Sequence, residues 1–141
     1  MKIAVGSDHG GWELKQVVLA FLQGEGHEIV DVGCESLDSV DYPAFAFAVC
    51  ERIIAGNCEC GILICGTGIG MSIAANRDRR IRAALCHEPF SARMSREHNN
   101  ANVLCLGGRV TGPELAVDIV RTWIAAEFTG DRHQRRIDMF S

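Results

Sequence analysis

The chain has 141 residues, 48% hydrophobic and 23% charged, with a formal net charge of −4. That length fits one domain and leaves no room for a second catalytic one, and the acidic balance gives no general attraction for nucleic acid or an anionic membrane. No apolar run approaches the roughly 18 residues of a membrane span, and the first residues lack the apolar stretch of a secretory signal, so a cytoplasmic protein with reduced thiols is expected.

Taken in order, residues 2–6 read as a first strand that runs into Ser7, Asp8, His9, Gly10 and Gly11. A helix follows over 12–23, stopped by Gly24 and Gly26, and a second strand over 28–32. Tyr42-Pro43 starts a helix over 44–55, because proline suits a first helical turn. The apolar run 61–65 reads as a third strand, followed by the glycine-rich stretch 65–70 and a short helix over 71–76. A strand over 81–85 leads to His87 and Glu88, then a helix over 90–96 and the polar cluster Glu97, His98, Asn99, Asn100. The last strand covers 102–107, and Thr111-Gly112-Pro113 opens a final helix over 113–128. Strands alternate with amphipathic stretches, and their apolar runs are nearly continuous. The expected fold is therefore a three-layer α/β architecture, a doubly wound, five-stranded parallel sheet of Rossmann-like type.

The stretch Cys65, Gly66, Thr67, Gly68, Ile69, Gly70 places a thiol over an anion cradle. Alternate glycines let successive N–H groups converge, and the following helix N-terminus adds partial positive charge. Such a site favours a thiolate and offers donors to a developing oxyanion, so base and oxyanion hole would share one loop. In sheets of this kind ligands bind beyond the carboxyl ends of the strands, where Asp8, His9, Cys65, His87 and Glu88 all fall. His98 falls at the opposite end. If it is catalytic, it serves the site of a neighbouring subunit or lies on a helix that returns to the ligand edge.

Bland readings stand beside each of these. The glycines also suit a tight strand-to-helix turn, Asp8 a helix cap, and His98-Asn99 a helix stop. Arg132 and Arg136, one helical turn apart, form either a clamp for a dianion or a solvated tail, and Arg109 after Gly107-Gly108 is equally open. The odd count of seven cysteines suits small buried hydrophobes, and Cys58 with Cys60 lacks the second close pair of a structural zinc site. A P-loop is excluded because Met71 follows Gly70 where a lysine is required. Dinucleotide binding is the stronger rival, since Gly66-x-Gly68 with Glu88 downstream imitates a ribose-binding arrangement; Met71 breaks it where the third glycine should stand.

The segments Gly6-Ser7-Asp8-His9-Gly10-Gly11, Asp41-Tyr42-Pro43, Ile64-Cys65-Gly66-Thr67-Gly68-Ile69-Gly70 with Ala74-Ala75-Asn76, and Arg96-x-His98-Asn99 together resemble the type B ribose-5-phosphate isomerases. Asn102-Val103-Leu104, Gly107-x-Arg109-Val110 and Arg132-His133-Gln134-x-Arg136 extend the resemblance over almost the whole chain. It implies a cofactor-free, metal-free aldose–ketose isomerase working through a cis-enediolate. Cys65 would move the proton between C2 and C1, loop 66–70 would hold the enediolate oxygen, and Thr67 would assist. His98 would open the furanose ring, with Asp8 and Asn99 on its hydroxyls; His9, Arg109, Arg132 and Arg136 would hold the phosphate, and Tyr42, Gly66, Gly68, Ile69 and Gly70 would complete the substrate site. The family also implies a homodimer or dimer-built tetramer with composite sites. Some members use a glutamate base in the helix after the glycine loop; Met71 stands there, so only the cysteine mechanism is supported. A hexose 6-phosphate isomerase, acting on allose or galactose 6-phosphate, and a non-catalytic nucleotide- or sugar-phosphate-binding module are the alternatives.

Overall fold

A computed structural model spans Met1–Ser141. Its strands are β1 (Lys2–Ser7), β2 (Glu28–Asp31), β3 (Cys60–Cys65), β4 (Ala83–Leu85) and β5 (Val103–Gly107). Its helices are α1 (Trp12–Gly24), α2 (Tyr42–Ile54), α3 (Ile69–Ala75), α4 (Pro89–Glu97), α5 (Pro113–Ala125) and α6 (Arg132–Asp138), with a 3₁₀ turn at His9–Gly11. All strand pairs are parallel, in the order β2-β1-β3-β5-β4. The order reverses between β1 and β3, so a crevice opens outside their carboxyl ends.

Side-chain alternation along the three central strands builds the two faces. Ile3, Val5, Ile62, Ile64, Leu104 and Leu106 pack with Leu14, Val18, Leu22, Ile119, Val120 and Trp123 from α1 and α5. The opposite face uses smaller groups, Ala4, Leu63, Cys65, Val103 and Cys105, against Ala46, Val49, Cys50, Met71 and Ala74 from α2 and α3. Burying each large aliphatic side chain contributes about 1.5–3 kcal/mol. The cysteines are free, and all are buried, as small apolar fillers are.

Several element bounds differ from the sequence expectation. Residues 81 and 82 do not join β4. Side-chain amides stand in for a strand there: Arg82 N–H donates to Asn102 Oδ1 at 2.8 Å, and Asn76 both accepts from Ala83 N–H at 2.8 Å and donates to Ala83 O at 3.0 Å. The Asn76 bonds satisfy part of the β4 edge that would otherwise offer a template for another chain. Helix α5 stops at Ala125 rather than 128, since Ala126 is extended, and α6 is an element that the hydrophobic pattern did not announce. No helix is long and apolar enough to cross a membrane.

Candidate active site

Cys65 is the last residue of β3 and is 5% exposed. Its Sγ accepts the Gly68 N–H at 3.1 Å, the only cysteine sulfur here that accepts a backbone amide. Gly68 caps α3 with φ +79°, a left-handed conformation that turns its N–H back toward the thiol. Thr67 is exposed, and its Oγ1 accepts the Ile69 N–H at 3.2 Å. Tyr42 lies on the backbone of Gly70: a methyl group there would sit 2.7 Å from the Tyr42 ring.

The ends of β1 and β5 close around this loop. Asp8 N–H donates to Ile64 O at 3.2 Å, Gly108 N–H to Cys65 O at 2.8 Å, and Arg109 N–H to Gly66 O at 2.9 Å. A side chain on Gly107 or Gly108 would strike Thr67 O or Gly10 O, at 2.7 and 2.6 Å, so only glycine permits the approach. The buried Asp8 carboxylate accepts the Gly11 N–H at 3.1 Å.

His9 and Arg109 line one pocket of about 200 Å³ with Gly10, Glu13, Leu14, Leu37 and Gly108. Val40 N–H donates to His9 Nδ1 at 3.2 Å, which leaves Nε2 as the N–H of a neutral ring. The β2–α2 segment that carries Val40 is pinned by Lys15, 1% exposed, whose Nζ donates to Asp31 Oδ1 at 2.8 Å and Cys34 O at 2.5 Å. Lysine in an amphipathic helix ordinarily faces water, so nothing in the sequence marked this one.

His98, Asn99, Arg132 and Arg136 are not part of that assembly. His98 caps the C-terminal end of α4, and Asn100 O accepts from Arg82 Nε at 2.9 Å, which places the cluster beside the amino end of β4. Strand β5, five residues or roughly 16 Å long at about 3.3 Å per residue, separates that end from the Cys65 end. Thr129 donates its N–H and Oγ1 to Glu97 O at 3.0 and 2.8 Å, fastening the approach to α6 onto α4. The His98 and His133 rings then stack, 4.1 Å between centroids and 10° from parallel. Arg132 and Arg136 are exposed and pair with no carboxylate. The candidate residues thus fall into two groups, one at each end of the sheet.

The model of the Ribose/Galactose Isomerase family matches residues 3–140. This chain belongs to that family. Among ribose/galactose isomerase relatives it is 49% identical over 137 residues to ribose-5-phosphate isomerase B of Escherichia coli, covering 97% of this chain and 92% of that one. It is 43% identical over 131 residues to D-erythrulose-4-phosphate isomerase of Pectobacterium atrosepticum, with 92% and 86% covered. The solved ribose-5-phosphate isomerase B of Clostridium thermocellum superposes with a TM-score of 0.97 at 54% identity, covering 99% and 94%. That of Thermotoga maritima gives 0.97 at 53%, covering 99% and 96%.

Burial disfavours the thiolate at five of the other cysteines of this ribose/galactose isomerase. Burial pushes Cys50 and Cys86 up to about 11 and Cys60 to about 12, and raises Cys58 and Cys105 as well. His133 is lowered, first by burial and then by His98, Arg132 and Arg136, against the opposing pull of Asp131. No group of three or more His, Cys, Asp or Glu side chains gathers as metal ligands.

Proposed function

We propose that this chain is an aldose–ketose isomerase that interconverts D-ribose 5-phosphate and D-ribulose 5-phosphate through a cis-enediolate. The observation that carries the reading is the Cys65 sulfur held against the glycine loop by the Gly68 amide at 3.1 Å. Relatives about half identical, named for this reaction, support the substrate. Cys65, as thiolate, removes the C2 proton of the open aldose and returns it to C1. The electrons left on carbon move toward the carbonyl oxygen, which the amides of Gly66, Gly68, Ile69 and Gly70 stabilise while Thr67 assists its proton transfer. Asp8 positions hydroxyls and Tyr42 bounds the pocket.

The phosphate fits the other half of the assembly. A neutral His9 with its proton on Nε2 and the Arg109 guanidinium offer donors from one pocket. Arg132 and Arg136, free of carboxylates, supply bidentate donors suited to a dianion. These arginines, with His98 as the ring-opening residue and Asn99 on a hydroxyl, reach the sugar when a second copy brings its sheet end to the Cys65 loop. A homodimer, or a tetramer built from it, with composite sites is therefore part of the reading. The exposed Ile69, Ile73 and Phe90 are apolar surface available for such packing. Seven unpaired cysteines support a cytoplasmic setting.

Turnover of ribose 5-phosphate beside allose and galactose 6-phosphates tests the substrate. Preference for a hexose phosphate would keep the chemistry and change the sugar, whereas binding without turnover of any would leave a phosphosugar-binding module.

A further inference from the structure

The family resemblance gives His133 no task, and α6 has two buried side chains, His133 and Ile137. Ile137 is an ordinary anchor. A histidine at 8% exposure, lying flat on a second histidine, is not what packing alone requires. We infer that His133 is a positioning residue for His98: its buried ring is the plate that fixes the orientation of the His98 imidazole. The inference rests on the reading of His98 as the ring-opening residue.

Ring opening needs an imidazole that both accepts and gives a proton. The O1–H proton leaves, its bonding pair forms the C1 carbonyl, the C1–O4 bond breaks with its pair going to O4, and O4 takes up a proton. Nothing is oxidised or reduced, and one neutral imidazole suffices as carrier. The two rings lie face to face, 4.1 Å between centroids and 10° from parallel, so the flat face of His133 limits the tilt of the His98 imidazole. Burial, then His98 and the Arg132 and Arg136 guanidiniums, keep His133 below the ordinary histidine range, so the plate is an uncharged ring. Opposing them are Asp131 on the same segment and Glu97 beside His98, the latter engaged by Arg93 at 3.9 Å. The third charge of α4 facing this region, Arg96, is turned over the Trp123 ring at 4.9 Å and donates to Ala101 O.

Both rings belong to one chain, held together by the Thr129 bonds to Glu97 O. The pair and the two arginines therefore move as a unit into whichever site they complete.

The test separates ring opening from the enediolate step. Ribulose 5-phosphate has O5 phosphorylated and cannot close to a furanose, so uptake of solvent deuterium at its C1 bypasses ring chemistry, whereas turnover of ribose 5-phosphate does not. His133→Leu should lower ribose 5-phosphate turnover about tenfold or more while C1 exchange changes less than about twofold. His133→Phe, flat and uncharged, should restore most of the loss, and His98→Asn should reproduce the selective defect. Equal loss of both activities in His133→Leu, or no loss in either, with His98→Asn still selective, would overturn the positioning role alone. If His98→Asn leaves the ratio of the two activities unchanged, the ring-opening reading fails and the inference falls with it.

Discussion

Gly68 donates its N–H to Cys65 Sγ at 3.1 Å from a backbone at φ +79°, so the thiol environment depends on one left-handed residue. Alanine at position 68 would place its Cβ 2.5 Å from Leu85 Cδ1 and 2.9 Å from Leu106 O. Gly68→Ala should therefore cost about 1–2 kcal/mol from backbone strain alone, and more from the clash. Urea unfolding checks the stability loss. The kcat should fall with it, because the amide leaves the sulfur; an unchanged kcat would disconnect loop geometry from chemistry.

The phosphate assignment predicts a binding defect rather than a chemical one. Arg132→Ala and Arg136→Ala should each weaken substrate binding by about 1.5–3 kcal/mol, seen as a raised KM for ribose 5-phosphate. Both residues are exposed and unpaired, so folding should not suffer. Unchanged KM in both variants would leave the arginines as a solvated tail.

The proposed composite site, with Cys65 from one chain and His98 from another, predicts complementation. Cys65→Ala and His98→Asn chains should each be impaired alone. Mixed by partial denaturation and refolding, they should recover about a quarter of wild-type sites, since half of the dimers are mixed and each mixed dimer has one intact site. No recovery, with mixed dimers demonstrated by native mass spectrometry, would mean that His98 serves its own chain.

The lowered His133 pKa carries a pH dependence of stability. Because the folded value lies below the unfolded value of about 6.5, the unfolded chain binds more protons in that interval. Stability is fully present above the unfolded value and is lost as pH falls through the folded one. Urea midpoints at pH 7.5 and 5.5, at fixed protein concentration, should fall further in the wild type than in His133→Phe. Asp78, held down to about 2 by its hydrogen bonds to Arg80, contributes only at more acid pH.

Much of this molecule was legible in its chain. The central strands β1, β3 and β5 are continuous apolar runs, and chain order placed Asp8, His9 and Cys65 together and His98 at the far end. Helix α6 was not legible, because two buried residues among three arginines leave no hydrophobic period to read. Residues 81 and 82 resembled a strand, yet the Arg82 N–H is taken by the Asn102 side-chain amide, a substitution no local pattern announces. The burial of Lys15 and the stack of His133 on His98 depend on tertiary placement of residues that ordinarily face solvent.

The most direct measurement is kcat/KM for ribose 5-phosphate in the wild type and in Cys65→Ala, together with phosphosugar affinity. Efficient wild-type turnover should be lost by at least about a hundredfold in Cys65→Ala, with affinity largely retained. Turnover that survives the substitution would contradict the cysteine base, and a wild type that binds ribose 5-phosphate without converting it would contradict the isomerase itself.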